Sequence, residues 1–302
     1  MRISTKNEYG TLKSVIVGSV ENFSWPENDH EFDQGIARST YHETLKSKTP
    51  KSNVLSEAKD DLESLVALLQ DKGVAVHRPT VTGPHWSYSA RDILLTVGNK
   101  LIQCPTPFVS RANEVEMYPF LSDVDIIKAP RPRTDKDPVF DAANVLKLDD
   151  KLLYSLSHSA NEAGADWLQR QVGTEFEVIK WQVVEHQITH IDSTLLSLSK
   201  DTVLVNASRV KADQLPNFMK DYKKIWVDDI ESMSFDQFPY ASKWIGMNLL
   251  SVDPSTVIVD ARQKKLIEML QANGYEIITA TMRQARTLGG GFHCVTCDLE
   301  RE

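Results

Sequence analysis

A glycine-rich segment near residue 290 presents the residue best suited to covalent chemistry. Gly289-Gly290-Gly291-Phe292-His293-Cys294 places a cysteine directly after three glycines. Glycine adopts positive φ angles and lets a ligand approach the backbone closely, so the pattern indicates a cysteine held in a turn beside a bound molecule. Cys294 is therefore the predicted nucleophile, because a thiolate attacks electrophilic carbon readily.

Polar residues stand just before predicted β-hairpins and supply the partners that a nucleophilic cysteine needs. They are Asp92, Asp141, His190, Asp192 and Ser242. If the hairpins are arranged around a common axis, their leading ends converge, and three carboxylates, one imidazole and one thiol share a pocket. The alternative is that Asp141 and Asp192 only cap backbone amides, as aspartate often does in turns.

A pocket with these groups suits a planar, cationic substrate. Carboxylates bind a guanidinium group through paired hydrogen bonds. The thiolate can attack the central carbon while the imidazole gives a proton to the departing amine. A free thiol has a pKa near ~8.5 and needs a nearby positive charge to ionise at neutral pH. The bound guanidinium can supply that charge, which would couple activation to substrate binding.

The elements that must position these residues follow a repeated pattern: two apolar runs joined by a polar turn, then a helix, then a closing strand. The short spacing between the apolar runs predicts hairpins. Three copies are clear. The first has predicted strands 145–148, 152–156 and 176–181 and a helix over 160–172. The second has strands 195–199, 203–206 and 224–227 and a helix near 213–222. The third has strands 248–252, 257–260 and 275–279 and a helix over 263–272.

Two further copies are looser. Segments 93–97 and 101–104 predict a fourth hairpin, and a strand over 12–18, a helix over 56–72 and a strand over 74–77 predict an incomplete fifth copy. About fifty residues per copy, repeated about five times, predicts radial or stacked modules, with an ordinary α/β domain as the alternative. The polar, aperiodic segment 27–53 is predicted to be an irregular insertion, either a lid or a disordered loop.

Composition limits the class of partner. The chain has 302 residues, of which 41% are hydrophobic and 25% charged, as in an ordinary globular protein. A formal net charge of −8 argues against nucleic acid or an anionic membrane as partner and favours a cationic small molecule. The sequence has no apolar stretch long enough to span a bilayer. Its first residues are not expected to act as a targeting peptide, and its three cysteines are not expected to form a disulfide framework. We therefore expect a cytoplasmic protein.

Short motifs punctuate nearly the whole chain in a fixed order. They are Asn7-Glu8-Tyr9, Val15-Ile16-Val17-Gly18, Arg91-Asp92-Ile93-Leu94, Phe140-Asp141-Ala142-Ala143, His190-Ile191-Asp192-Ser193-Thr194, Ser242-Lys243-Trp244 with Met247-Asn248, and the glycine-rich segment continued by Val295-Thr296-Cys297-Asp298. Together they resemble the amidinotransferases, the pentein enzymes that include glycine amidinotransferase.

The resemblance implies an α/β fold, a pentein five-bladed α/β propeller of ββαβ modules with pseudo-fivefold symmetry, as a single domain over residues 1–302. It also implies an amidinotransferase that moves the amidino group of L-arginine to an amine through a covalent amidino-cysteine and releases L-ornithine. Neither a metal nor an organic cofactor is implied. The expected partners are small molecules, with no nucleic acid and no membrane, and a homodimer is compatible with these features.

The resemblance further implies residue roles. Cys294 is the implied nucleophile, His190 the implied general acid and later base, and Asp141 the residue that orients His190 or holds the guanidinium. The implied substrate-binding residues are Asp92 and Asp192 for the guanidinium, Arg209 with Ser242 for the arginine carboxylate, and Trp86, which takes the place of a tyrosine.

Departures from the glycine-specific members predict a different acceptor. Ala241 replaces the first of two serines, Trp86 replaces the tyrosine, and 110–119 carries acids and a proline where those enzymes have arginines and tyrosines. These changes predict an acceptor larger or more cationic than glycine.

Two other functions are compatible with the same residues. One is hydrolysis of arginine or a related guanidine, with water in place of the amine. The other is a catalytically silent guanidine-binding protein, against which the intact set of Cys294, His190 and Asp141 argues. His293 is predicted to be a packing residue, because neighbouring residues of a strand face opposite sides.

Overall fold

The computed structural model describes residues 1–25, 49–81, 83, 85–132, 134, 136–183, 189–236 and 239–302. These residues form five three-stranded sheets. In chain order the strands are β1 (Leu12–Val17), β2 (Ala75–His77), β3 (Leu94–Val97), β4 (Lys100–Gln103), β5 (Ile126–Lys128), β6 (Val145–Leu148), β7 (Lys151–Leu156), β8 (Glu177–Gln182), β9 (Leu195–Ser199), β10 (Thr202–Asn206), β11 (Lys223–Val227), β12 (Leu250–Asp253), β13 (Thr256–Asp260), β14 (Glu276–Ala280) and β15 (Thr296–Arg301).

Each sheet repeats one arrangement, in which the central strand pairs antiparallel with one neighbour and parallel with the other. In the sheet β6-β7-β8, Val145 pairs with Tyr154 across the antiparallel pair, and Lys151 pairs with Glu177 across the parallel pair. A short turn suffices to join antiparallel strands, whereas a parallel strand requires a longer crossover. The module is therefore a hairpin, a connection and a third strand, as the sequence pattern predicts.

Helices provide the crossover in three of the five modules. The described α-helices are α1 (Ser52–Asp71), α2 (Glu162–Val172), α3 (Lys264–Ala272) and the short α4 (Ala285–Leu288). Along α1, Leu62, Leu65 and Leu69 recur at helical spacing and are all buried, so one face of the helix covers its sheet. These three long helices confirm the predictions over 56–72, 160–172 and 263–272 to within a few residues at each end.

The other two crossovers contain no α-helix among the described residues. The helix predicted near 213–222 is wrong: the chain forms two short 3₁₀ turns, Ala212–Gln214 and Asn217–Met219. Pro216 lies between them, and proline disfavours helical backbone at the residue before it and lacks the amide that a helix needs. In the module of β3 and β4, three 3₁₀ turns lead to β5, a strand that the sequence pattern did not reveal.

The fifth module is completed by a strand from the far end of the chain. β1 pairs with β15 antiparallel, with Val15 opposite Asp298 and Ile16 opposite Cys297, and pairs with β2 in parallel. The copy that looked incomplete in sequence is complete in structure, because its leading strand follows the glycine-rich segment. This pairing, which we call the seam, joins the first strand to the last.

The hydrophobic core is divided among the modules in a way that shows their radial order. Each of five buried clusters contains residues from two neighbouring modules. Residues that share a cluster across successive module boundaries are Ile16 with Leu101, Ile102 with Leu152, Leu153 with Val203, Leu204 with Val257, and Ile258 with Val15. The last pair returns to the first module, so the modules form a closed ring. This confirms the predicted five-bladed α/β propeller.

Most of the predicted insertion at 27–53, namely its part up to residue 48, lies outside the described residues. The last two residues of that range, Ser52 and Asn53, belong to α1.

In the part of the chain that the structure describes, no helix has both the length and the apolar character required to cross a bilayer.

Candidate active site

A short turn leads into the first strand of each module, and these five leading turns carry most of the residues singled out in the sequence. They are the 3₁₀ turns Ala90–Asp92, Ala142–Asn144, Ile191–Ser193 and Lys243–Met247, and the tight turn at 292–295. Each precedes the strand that pairs antiparallel with the central strand of its sheet. Because the modules form a ring, their leading turns meet at one end of it.

A pocket opens where the leading turns meet. Seven of the eight predicted site residues line it: Trp86, Asp92, His190, Asp192, Arg209, Ser242 and Cys294. The eighth, Asp141, is fully buried behind His190 and reaches the pocket through that side chain. Among the described residues, nine more line the pocket, namely Ser89, Phe108, His158, Thr189, Ser193, Tyr240, Ala241, Ile245 and Gly289.

Cys294 lies at the base of this pocket and is almost fully buried. Its backbone N–H donates to Asn248 Oδ1 at 2.9 Å, and its Sγ is 3.2 Å from Asp192 Oδ2, where the thiol donates. Burial raises the pKa of the Cys294 thiol well above its ordinary value, and the negative charges of Asp192 and Asp92 raise it further. The resting nucleophile is therefore a neutral thiol.

Two glycines shape the turn that presents Cys294. Gly289 ends α4 with a φ of 82°, and a Cβ there would lie 2.1 Å from Tyr240 Cδ1. At Gly291 a Cβ would lie 2.7 Å from the Cβ of Asn248. Gly289 is thus needed for its backbone conformation, and Gly291 for the close approach of Asn248. The positive φ expected in this segment is present at Gly289, whereas the close approach at Gly291 is that of a protein side chain and not of a bound molecule.

His190 stands between two carboxylates. Its Nε2 is 3.0 Å from Asp141 Oδ2, and its Nδ1 is 3.6 Å from Asp92 Oδ1. Burial by itself lowers the pKa of His190, but the charges of Asp92 and Asp141 outweigh it and raise this pKa to about 9. The imidazole is consequently protonated at neutral pH and is ready to donate a proton.

Asp92 is held from behind by a buried arginine that the sequence reading did not single out. Arg111 Nη1 donates to Asp92 Oδ2, while Arg111 Nε and Nη2 donate to the two oxygens of Glu114 at 3.0 and 2.8 Å. The Arg111 guanidinium also lies 4.8 Å from the ring centroid of Trp86. Asp92 Oδ1 has no hydrogen-bond partner among the described residues. Arg111 therefore fixes one oxygen of Asp92 and leaves the other directed towards His190.

The acids of segment 110–119 do not face the pocket. Glu114 is fully buried and paired with Arg111, and Glu116 lies at a different cavity beside Gln103 and Lys128. These acids therefore do not support the prediction of a more cationic acceptor, because Glu114 is paired with Arg111 and Glu116 lies at the other cavity. The segment acts on the pocket through Arg111.

His293 is not simply a packing residue. Its Nδ1 is 3.0 Å from Asp192 Oδ2 and its Nε2 is 2.9 Å from Glu8 Oε2, with all three side chains buried. The alternation argument failed because residues 292–295 form a turn and strand β15 begins only at Thr296. The motif Asn7-Glu8-Tyr9 brings Glu8 to this place, which local sequence could not indicate.

Arg209 and Ser242 occupy another part of the pocket wall. Arg209 Nη2 donates to Ser242 Oγ at 3.0 Å, and its Nη1 donates to oxygens of Ser193 and Thr194. All these acceptors are neutral. Burial lowers the pKa of Arg209 to about 10, against the opposing charge of Asp192. A partly buried guanidinium whose described hydrogen-bond acceptors are all neutral oxygens is well suited to bind an anionic group of a ligand.

Aromatic rings line a third part of the pocket. Trp86 makes edge contacts with Phe108 and Tyr240, at centroid separations of 5.8 and 5.4 Å. Phe108 and Tyr240 carry no local sequence signal that separates them from core residues. Within the described ranges, no group of three or more histidine, cysteine, aspartate or glutamate side chains is arranged to hold a metal ion.

Known proteins resemble this chain at two levels, over its C-terminal part and over its whole length. The model of the arginine deiminase family matches residues 234–301. Inosamine-phosphate amidinotransferase 1 of Streptomyces griseus is 35% identical over an alignment 337 positions long, which covers 99% of this chain and 97% of that protein. Its solved structure superposes with a TM-score of 0.91.

More distant amidinotransferases also match along the whole chain. An amidinotransferase from Microseira wollei in the saxitoxin biosynthetic pathway is 25% identical, with a TM-score of 0.88 and coverage of 99% of this chain and 97% of that one. The L-arginine:L-lysine amidinotransferase of Pseudomonas savastanoi pv. phaseolicola is 27% identical, covering 99% of this chain and 94% of its own length. On the full-length identity to the Streptomyces enzyme, the shared propeller and the cysteine pocket, this chain belongs to the amidinotransferase family.

Proposed function

We propose that this protein transfers the amidino group of L-arginine to an amine, with the group carried in between on Cys294. One observation carries the proposal: a single pocket holds Cys294, the carboxylates of Asp92 and Asp192, His190, and the guanidinium of Arg209. Carboxylates near the thiol complement a guanidinium at the reacting end of the substrate. Arg209 complements a carboxylate at its other end.

The first half of the reaction forms the covalent intermediate. When the substrate guanidinium enters beside Asp92 and Asp192, its positive charge lowers the pKa of the Cys294 thiol, which releases its proton to solvent. The resulting thiolate attacks the guanidinium carbon. The carbon–sulfur bond forms, and the bond from that carbon to the side-chain nitrogen of the substrate breaks. Protonated His190 gives its proton to this nitrogen, so that L-ornithine leaves as an amine.

The second half returns the enzyme to its starting state. His190, now neutral, accepts a proton from the incoming amine, whose nitrogen attacks the amidino carbon on Cys294. The carbon–sulfur bond breaks and the electron pair returns to sulfur. As the cationic guanidino product leaves, the thiolate takes up a proton from solvent and the neutral thiol is restored. Asp141, hydrogen-bonded to Nε2 of His190, holds the ring in one orientation through both steps.

The acceptor is proposed to be an amine larger than glycine. The relatives named inosamine-phosphate amidinotransferase are 34–35% identical to this chain, whereas those named glycine amidinotransferase are 27–28% identical. Ala241 and the rings of Trp86 and Tyr240 give this pocket an apolar wall, against which the C–H face of a cyclic amino alcohol can pack. Aminocyclitols and their phosphates are accordingly the first acceptors to test.

Mass spectrometry with L-arginine labelled at the guanidinium carbon tests the proposal. With arginine alone, the peptide that contains Cys294 should gain a labelled amidino group. Adding the right amine should remove the label from the protein and place it on that amine. Cys294→Ala should form no adduct, and Cys104→Ala, at a buried cysteine outside the pocket, should behave as the unaltered enzyme.

The same measurement separates the other functions. Labelled urea, carbon dioxide or citrulline formed without any amine would establish a hydrolase. Tight binding of arginine with neither adduct nor product would establish a binding protein. We also propose that residues 1–302 form a single domain, that the protein is a homodimer and that it is cytoplasmic. Labelling does not address these three points. Analytical ultracentrifugation tests whether the protein is a dimer.

A further inference from the structure

A second histidine–carboxylate cluster lies directly behind the nucleophile. His293 bridges Asp192 and Glu8, at 3.0 Å from Nδ1 to Asp192 Oδ2 and 2.9 Å from Nε2 to Glu8 Oε2. Glu8 comes from the start of the chain and His293 from the leading turn of β15, 285 residues later. We call Glu8, His293 and Asp192 the rear triad. The reaction steps above make use only of Asp192.

Geometry fixes the protonation state of His293. Both ring nitrogens face carboxylate oxygens at hydrogen-bonding distance, and a neutral imidazole would leave one nitrogen without a proton to donate. Burial and the nearby charge of Arg91 lower the pKa of His293, but Glu8 and Asp192 raise it more, and the net direction is upward. The rear triad therefore holds one cation between two anions, with a net charge of −1.

The rear triad is coupled to Cys294 through one atom. Asp192 Oδ2 accepts from His293 Nδ1 and from the thiol of Cys294, which is 3.2 Å away. Burial by itself would raise the pKa of Asp192, but the hydrogen bond and the charge of His293 dominate and lower it strongly. The carboxylate next to the thiol thus stays ionised because an imidazolium stands behind it.

We propose that His293 and Glu8 are positioning residues that hold Asp192 in place and set the ionisation of Cys294 by keeping one positive charge behind the site. This inference rests on the proposed function, in which Cys294 must ionise when the substrate binds. The positive charge of His293 offsets the negative charge of Glu8. Without it, the thiol would face a net charge of −2 from Glu8 and Asp192.

Other charged groups surround the same atoms and stay constant in the test. Asp92 acts on the thiol from the pocket side and itself lies 3.6 Å from His190. Arg91 approaches Glu8 to 3.9 Å and also pairs with Asp298, and the buried Lys147 acts on Glu8 through its charge. Any shift that follows substitution of Glu8 or His293 alone therefore reports the rear triad.

The test measures how fast iodoacetamide alkylates Cys294 as a function of pH, with the modified peptide quantified by mass spectrometry. His293→Gln should move the inflection to higher pH by about one to two units, because one unit charge is lost a few ångströms from the thiol. The double variant Glu8→Gln/His293→Gln carries only the charge of Asp192, a net −1 again, and its inflection should return towards that of the unaltered protein. His77→Gln, at a histidine stacked on Phe120 outside the pocket, should leave the inflection unchanged.

A purely structural role predicts the opposite order, since the double variant would be at least as impaired as the single one. An unmoved inflection in His293→Gln, or no return in the double variant, overturns the proposal. If His293→Gln does not fold, Glu8→Gln alone decides: it removes one negative charge, so the inflection should move to lower pH, and a shift upward or no shift overturns the proposal.

The amidino-adduct assay separates this inference from the proposed function. If the unaltered enzyme forms the labelled adduct but the variants keep its alkylation profile, only the rear triad proposal fails. If the inflections shift as expected but no adduct ever forms on Cys294, the proposed function fails and the coupling of His293 to the thiol stands.

Discussion

Arg111 donates to Asp92 at a point where both side chains are buried, and the same guanidinium makes a two-pronged bond with Glu114. A fourth donation goes to a third partner, the backbone oxygen of Ser89, at 2.8 Å. An arginine with this many partners cannot move to meet a substrate. Its effect is to fix the position and charge of Asp92, whose second oxygen is then directed towards His190.

Loss of Arg111 should therefore weaken both the fold and the binding of arginine. Arg111→Met leaves Asp92 and Glu114 buried without their cation, so we expect the free energy of unfolding to fall by about 3–5 kcal/mol. Burial already raises the pKa of Asp92, against the charges of His190 and Arg111. Without Arg111 this pKa rises further, and KM for arginine should increase more than kcat falls.

The matched comparison for stability is Arg78→Met, which breaks a surface pair with Glu63 at 3.0 Å. An exposed pair contributes about 0–1 kcal/mol, so chemical denaturation should barely register this change. Equal losses of stability in the two variants would contradict the assignment of Arg111.

Arg209 should determine whether the donor must carry a carboxylate. In Arg209→Met the partner of that group is lost, so kcat/KM for L-arginine should fall by about 10- to 100-fold, the usual worth of a charge-assisted hydrogen bond. Agmatine, which is arginine without its carboxylate, should be used about equally well by the variant and the unaltered enzyme. Steady-state kinetics with both donors measures the difference, and a parallel loss for agmatine would show that Arg209 acts on something else.

Asp141 should hold His190 in its protonated form. A negative charge beside an imidazole favours the imidazolium, so Asp141→Asn should lower the pKa of His190 from about 9 by about one unit or more. The alkaline limit of turnover, where His190 loses the proton that it donates, should move to lower pH by the same amount. NMR titration of the ring protons gives the pKa directly. Asp150→Asn, which alters an exposed carboxylate paired with Lys151, serves as the control and should leave it unchanged.

Gly291 should tolerate no side chain. In Gly291→Ala the new Cβ would meet the side chain and backbone oxygen of Asn248, which receives the N–H of Cys294. We expect a loss of about 1–3 kcal/mol in stability, as in other overpacked sites, together with slower alkylation of Cys294. Gly83→Ala adds a methyl group where no atom of the described residues lies within 4 Å, and its thermal unfolding should match that of the unaltered protein.

The architecture could be predicted from sequence wherever local patterns determine it. The hairpin at 145–156 and the helix over 160–172 have periodic apolar residues and clear turns, and the structure matches them closely. The predicted helix at 213–222 overlooked Pro216. Strand β5 was missed because it has only three residues, Ile126–Lys128, and follows a crossover whose sequence has no periodic pattern.

The parts of the site that the sequence did not reveal depend on contacts between distant residues. Cys294, His190 and the aspartates stand beside glycine-rich or hairpin motifs, so they could be found one at a time. Arg111 differs from any surface arginine only through its burial against Asp92 and Trp86. His293 and Glu8 become partners only when the ring closes, and that contact is invisible to a reading along the chain.

The seam between β1 and β15 also has a kinetic consequence. The leading turn that holds Cys294 is anchored by pairing of segments almost the full chain length apart, and contacts of such large sequence separation form slowly. Individual hairpins and helices can form early from local contacts, whereas the catalytic centre has to wait for the ring to close. In refolding from denaturant, helical circular dichroism should therefore recover before enzymatic turnover does, and any partly folded species that accumulates should be inert towards arginine.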